Sequence, residues 1–261
     1  MFPQRKISKE RERQLLEELM KPYTKNEQQK QGTVIAPSFI KNPEDYIGIP
    51  QFNTVISKRE SLHNYDFDNT IDEIKKLNPR FFMPPIPYFM THFFNVREAV
   101  KGSLTLNNGL GSPLTQEEAN KLWQYFTSKN RDQFGTMDKD KLCWTWLNAK
   151  FIKGTGFNNL DIETFNAPTS QKQPLEQCLL QNTYVSLNLN DFNSQKMPKP
   201  TIQTHSQYTE GENIHFYHPV ENRVARFSAG SGGAVLFCYG GPGGSNPALG
   251  VFFCAEGTAR P

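Results

Sequence analysis

Residues Val224–Gly257 read VARFSAGSGGAVLFCYGGPGGSNPALGVFFCAEG. Two interleaved sets of positions are visible. Val224, Phe227, Ala229, Ala234, Leu236, Cys238, Leu249, Val251 and Cys254 form an apolar set suited to burial. Ser228, Gly230, Gly232, Gly233, Val235, Phe237, Tyr239, Gly240, Gly241, Gly243, Gly244, Asn246 and Ala248 form a small or chemically arbitrary set. Around Ala234, Leu236 and Cys238 the sets alternate strictly, as expected of a strand with one buried and one solvent-facing side. The second set is the candidate ligand-binding surface.

Eight of the chain's 18 glycines fall between Ser228 and Phe253. Glycine costs conformational entropy in an ordered strand or loop, so this composition is a poor way to stabilise an edge. A loose tail is also excluded, because Val224, Phe227, Leu236, Leu249 and Val251 need a core. Residues 228–253 lack Trp, Met, Gln, Lys and Glu. Those five residues are the ones that no pyrimidine-ending codon encodes. Substitution at the adenines of an Asn codon (AAC or AAT) yields Gly, Ser, Tyr, Phe, Val, Ala and similar residues, never those five.

The chain has 261 residues, 36% hydrophobic and 21% charged, enough for a packed core. A net charge of +3 provides no strong field toward nucleic acid or an anionic membrane. Neither nucleic-acid binding nor membrane insertion is expected. MFPQRKISKERERQ lacks the apolar core of a secretory signal, and no apolar run reaches bilayer length. A cytoplasmic location is the default expectation. The four cysteines, Cys143, Cys178, Cys238 and Cys254, include no C-x-x-C pair. Cys238 and Cys254 read as buried thiols acting as small hydrophobes, with a disulfide between them as the alternative.

Upstream, Ser8 caps an expected helix to about Met20, followed by a polar stretch from Asn26 to Gln31. Residues 33–60 read as irregular, with one strand at Phe52–Ile56. Helices are expected over Thr70–Leu77, Tyr88–Lys101 and from Thr115 onward, where Thr115 and Glu118 form a capping box. Pro79–Pro87 reads as an extended apolar entry into the main domain. After Lys141 the texture changes to strands and loops: Leu142–Phe151 is aromatic and mostly apolar, Pro174–Leu180 follows a polar loop, and Ile214–Pro219 leads into the C-terminal stretch. Asn-, Gln- and Pro-rich residues 188–211 are expected on the surface.

Several catalytic or metal readings fail on context. Asp66-Phe67-Asp68-Asn69-Thr70 has the D-x-D-x-T form of dehalogenase-type phosphatase loops, but no buried strand precedes it. It reads instead as a helix-capping cluster. Asp138 and Asp140 lack the Gly and the closing Glu of an EF-hand loop. His205, His215 and His218 have no suitably spaced carboxylate or Cys partner. Gly240-Gly241-Pro242-Gly243-Gly244 has the look of a hydrolase oxyanion loop. It precedes neither a G-x-S-x-G elbow nor a His, and it lacks the Lys-Ser/Thr pair of a phosphate-binding loop. No catalytic residue, metal or cofactor is assigned.

A resemblance is carried by Val224-Ala225-Arg226-Phe227, Ala229, Ser231, Ala234, Leu236, Cys238, Pro242, Leu249-Gly250-Val251 and Cys254-Ala255-Glu256-Gly257. Upstream it includes Trp146-Leu147-Asn148-Ala149-Lys150-Phe151 and Pro174-Leu175-Glu176-Gln177-Cys178-Leu179. Together, over about residues 142–257, these resemble the variable proteins of diversity-generating retroelements, most closely the archaeal and small-genome microbial group. In that family an error-prone reverse transcriptase substitutes at template adenines, and the product replaces the variable region of a C-type lectin-like scaffold. The resemblance therefore implies an α+β fold: a C-type lectin-like domain of two helices, short antiparallel strands and long loops at residues 81–261. An N-terminal helical or irregular extension would occupy residues 1–80, and the variable region about 224–254. It also implies a non-enzymatic protein that binds an unknown protein or surface ligand. Neither Glu-Pro-Asn nor Trp-Asn-Asp is present, so calcium-dependent sugar binding is not implied. The cysteine-based activity of the formylglycine-generating relatives of that fold is not implied either. The alternatives are a structural or assembly subunit and, further off, a hydrolase or phosphatase.

Overall fold

The computed structural model describes residues 33–127, 143–166, 171–230 and 232–259. The expected Ser8–Met20 helix, the Asn26–Gln31 stretch and the Asp138/Asp140 segment lie outside them. The chain divides into Met1–Gln31 and Gly32–Pro261, and all described residues belong to the second unit. It is a mixed α+β body with three helices among the described residues: α1 (Phe67–Leu77), α2 (Ile86–Val100) and α3 (Gln116–Thr127).

Residues 33–80 are not an appendage. Strand β1 (Val34–Ile35) pairs with β13 (Thr258–Ala259), next to the end of the chain. The hairpin of β2 (Tyr46–Ile49) and β3 (Thr54–Ser57) makes a three-stranded sheet with β12 (Cys254–Glu256). The expected boundary at residue 80 therefore moves to Gln31/Gly32, and the segment read as irregular holds three short strands. Frequent Pro and Gly hid them, and long-range pairing supplies what local pattern lacks.

The main sheet has eight strands in the order β6-β5-β4-β10-β11-β9-β7-β8. These are β4 (Trp144–Lys153), β5 (Leu160–Glu163), β6 (Lys172–Pro174), β7 (Thr183–Ser186), β8 (Thr204–His205), β9 (Asn213–Tyr217), β10 (Arg223–Gly230) and β11 (Gly233–Gly240). All neighbours are antiparallel except β9 and β11.

Local chemistry explains the helices. Asp66 caps α1, accepting from Asn69 N at 2.8 Å, while its other carboxylate oxygen accepts from Asn69 Nδ2 at 2.8 Å. The Asp-x-Asp-x-Thr run is thus a helix start. The capping box of α3 forms as expected, with Thr115 N donating to Glu118 Oε2 at 2.8 Å and Glu118 N to Thr115 Oγ1 at 3.2 Å. Gly102, at φ +72°, ends α2.

Two hydrophobic layers cover the sheet. On the inner face, α2 and α3 bury Phe89, Phe93 and Phe126 against Phe227, with ring centroids 4.9, 5.5 and 6.3 Å away. On the other face, α1 and the chain's last segment cover one end, where Phe67, Ile71, Trp146, Val224, Leu249 and Val251 cluster. Residues 188–211 are less superficial than expected, because Phe192, Met197 and Ile202 turn into the core. All four cysteines are free and buried. The disulfide alternative for Cys238 and Cys254 is not realised.

One buried group works against the fold. His92 of α2 is fully buried against Phe126, and neither ring nitrogen has a hydrogen-bond partner. Desolvation lowers its pKa from the ordinary 6.5 to about 3. Between those values the unfolded chain binds the proton and the folded chain does not, so stability falls as pH drops through this window. His92→Leu removes the orphaned nitrogens at similar volume and is expected to stabilise the protein by about 1 kcal/mol near pH 7. The gap to wild type should widen by up to ~1.4 kcal/mol for each pH unit below 6.5. Urea midpoints measured from pH 7.5 to 4.5 check this, and parallel curves for the two proteins contradict it.

Candidate functional site

The hairpin of β10 and β11 is the centre of the site. Its register, Phe227↔Leu236, Ala229↔Ala234 and Ser228↔Val235, puts alternate residues on opposite faces. All nine positions of the apolar set are buried. A bulge between Val224 and Arg226 shifts the register. Ala225 joins Phe227 and Ala229 in the inner core, while Val224 packs against α1 on the outer face.

Ten of the thirteen candidate surface positions are partly or fully exposed: Ser228, Gly230, Gly232, Val235, Phe237, Tyr239, Gly241, Gly243, Gly244 and Asn246. Gly233, Gly240 and Ala248 are buried instead. Gly233 sits at φ +87° beneath the Tyr208 ring, where an added Cβ would lie 2.4 Å from ring carbons. At Gly240 a Cβ would lie 3.0 Å from the Val224 carbonyl oxygen. Ala248 turns inward because its N–H donates to Asn246 Oδ1 at 2.9 Å, closing an Asx turn. Asn246 is therefore exposed but occupied in local structure.

The remaining glycines differ in kind. Gly230, Gly232 and Gly243 have nothing within 4 Å of an added Cβ, and Gly241 and Gly244 meet only ordinary contacts at 3.7 and 3.4 Å. Nothing in the packing requires glycine at these five positions. Gly250 is the opposite case, since a Cβ there would press His63 at 2.7 Å and Glu60 at 2.9 Å.

Gly250 lies where the end of the chain is stitched to the body. Trp146 N donates to Gly250 O at 3.0 Å and Gly250 N to Trp144 O at 2.9 Å. Ser61 and Val251 exchange both backbone hydrogen bonds, at 2.8 and 2.9 Å. Glu60, buried beside them, accepts from Trp144 N at 2.9 Å and from the Tyr125 hydroxyl. Burial raises its pKa to about 7, although those hydrogen bonds pull it down. The glycine-rich run from Gly240 to Gly244 is thus held between a strand and a fixed segment.

The open face carries more than the sequence reading assigned to it. A cross-strand row runs Tyr184↔His215, His215↔Val235, Val235↔Ser228 and Ser228↔Trp144. Beside it lie Tyr217, Phe237 and Arg226. Rings follow one another across it: Tyr184–His215 at 4.4 Å, His215–Tyr217 at 4.2 Å, Tyr217–Phe237 at 4.8 Å and Phe237–Tyr239 at 4.3 Å. The Arg226 guanidinium lies 4.4 Å from the Phe237 ring centre and 5.8 Å from that of Trp144. Burial keeps His215 below its ordinary pKa, so its ring is neutral at pH 7. Tyr184, His215, Tyr217, Trp144 and Arg226 were missed as site residues. Period-two alternation in Ile214-His215-Phe216-Tyr217 was the available signal; which strand would lie beside β11 was not.

His205, His215 and His218 do not converge. His205 Nε2 is 2.7 Å from Ser186 Oγ and His218 Nδ1 is 2.7 Å from Asn182 Oδ1, while His215 stacks between tyrosines. Among the described residues no group of three or more His, Cys, Asp or Glu could hold a metal ion. Nor is any helix among them long and apolar enough to cross a membrane.

No protein-family model, curated protein or solved structure matches the chain. Function therefore has to be read from the site itself.

The glycines offer a direct test of this geometry. Gly232→Tyr should change stability by no more than ~0.5 kcal/mol, as at an unconstrained surface position. Gly233→Ala should cost at least ~1 kcal/mol, from backbone strain and the Tyr208 clash. Chemical denaturation of the two variants separates them, and equal losses would mean the outer face is not open at Gly232.

Proposed function

We propose that this is a non-enzymatic ligand-binding protein whose binding face is the outer side of the β10–β11 hairpin and the adjoining glycine-rich run. The face is diversified by retroelement-driven substitution at adenines. The observation that carries the reading is the separation of roles along one hairpin. Every position in the apolar set is buried, while most of the interleaved positions face outward and five glycines among them accept a Cβ without a clash. A protein that needed those glycines for folding would crowd them, as this one does at Gly250. Half-buried aromatic rings amid small, adaptable residues suit recognition, as in antibody loops.

A C-type lectin-like arrangement belongs to the same proposal. It rests on helices packed beneath an antiparallel-rich sheet, long loops, and a C-terminal hairpin tied back to the body. Asp66, the one nucleophile candidate of a phosphatase reading, is engaged at a helix start.

Two measurements test the proposal. Genomic sequencing should reveal a near-repeat of the segment encoding residues 224–254, differing from it mainly at adenines; without such a repeat the diversification reading fails. Deep mutational scanning for folded protein should tolerate most residues at Ser228, Gly230, Gly232, Val235, Phe237, Tyr239 and Gly243. Leu236→Ala and Phe227→Ala should each cost about 3 kcal/mol or more. Equal sensitivity of the two sets would remove the case for a variable face.

A further inference from the structure

The open face holds a cation without a counter-ion. Arg226 is half-buried between the rings of Phe237 and Trp144. Among the described residues no carboxylate pairs with it and no acceptor takes a hydrogen bond from it. A guanidinium drawn partly out of water without a carboxylate partner loses some of its hydration, and cation–π contact offsets only part of that loss. Contact with the Phe237 ring also restricts the group, so a bidentate acceptor meets it with less further ordering.

The surroundings have the same electrostatic character. Strands β4, β7, β9, β10 and β11 contain no Asp or Glu, yet hold Lys150, Lys153, Arg223 and Arg226. Residues 241–253 carry no charge at all. The chain as a whole is nearly balanced, with 26 acidic and 29 basic residues; the sheet's acids, Asp161 and Glu163, lie on β5 rather than on these five strands. Lys150 faces Glu163 across β5, and Arg223 lies beside Gly241. Arg226 is the cation placed among the rings.

We infer that Arg226 is a constant carboxylate receptor within the variable face, and that the face takes an acidic polypeptide segment whose carboxylate adjoins an aromatic or branched apolar side chain. This rests on the ligand-binding reading above and adds the chemistry of the ligand. Arg226 is not among the thirteen candidate variable positions, nor are Tyr184, His215, Tyr217 and Trp144. Substitutions at Val235, Phe237 and Tyr239 would then tune the neighbouring contacts around a retained charge preference. Arg and aromatic residues together are characteristic of protein-binding hot spots. Nucleic acid is a poorer fit, since it needs several phosphate contacts along a basic track, and this face has one guanidinium seated among its rings.

The test is selection of a random-peptide phage library on the full chain, repeated on Arg226→Gln, Arg226→Lys and a Phe237→Ala/Tyr239→Ala double variant. Each variant is checked for a wild-type circular dichroism spectrum and melting temperature. Peptides enriched on wild type should carry Asp or Glu beside an aromatic or branched residue. Arg226→Gln should weaken the best synthetic peptide by about tenfold or more, and Arg226→Lys by less; the double variant should abolish binding. Should Arg226→Gln fail to keep the fold, neutralising the peptide's own Asp or Glu to the amide on wild-type protein asks the same question. Peptides that need Phe237 and Tyr239 but show no acidic preference overturn the inference and leave the ligand-binding reading standing. Recovery of no peptide, or of peptides indifferent to the double variant, overturns both. Anionic phosphatidylserine vesicles or oligo-dT bound through Arg226 in place of any peptide overturn the peptide assignment.

Discussion

Phe227 pins the structure together. Its ring sits among Phe89 and Phe93 of α2 and Phe126 of α3, so beyond Val224, which packs against α1, β10 is held to the helices through its inner face. Phe252, near the end of the chain, joins the same aromatic group, 5.5 Å from Phe89 and 6.1 Å from Phe126. Away from the end covered by α1, a sheet anchored this way depends chiefly on its inner face, because burial of aromatic surface there is large. The freedom proposed for the outer positions follows from that asymmetry.

A second constraint keeps the glycine-rich run in place. Between Gly240 and Gly250 the chain has little side-chain mass with which to pack. It is fixed at both ends by backbone hydrogen bonds and by Val224, Leu249 and Val251 under α1. Glu60 joins the 60s segment to β4 and α3 at the same point. A buried carboxylate with a pKa near 7 contributes stability at acid pH that is lost as pH rises from 4.5 through 7, opposite in sign to His92. Where the two windows overlap, their effects on stability largely cancel.

The aromatic row extends well beyond the hairpin. Tyr184 comes from β7, His215 and Tyr217 from β9, and Trp144 from β4, so the proposed binding face combines positions free to vary with rings supplied by the framework. The Arg226 guanidinium is seated among those rings, and its packing between Phe237 and Trp144 couples it to a position proposed to vary. Replacement of Phe237 would loosen that seat while leaving the charge.

By itself the sequence determined the local matters: where helices start, through Asp66 and the Thr115/Glu118 box, and which side of the β10–β11 hairpin is apolar. These depend on neighbours three or four residues away, or on a period of two, and both are legible in a line of text. It also separated the nine core positions of the hairpin from their neighbours. Only the tertiary structure decided that residues 33–57 pair with the end of the chain, that β9 runs parallel to β11, and that Gly233, Gly240 and Ala248 are buried. Those outcomes depend on Tyr208, on the Val224 bulge and on an Asx turn at Asn246, contacts between residues whose separation or backbone geometry leaves no periodic mark. The same holds for the aromatic row and for Arg226, since strands distant in sequence must first be placed side by side before their outward side chains form one surface.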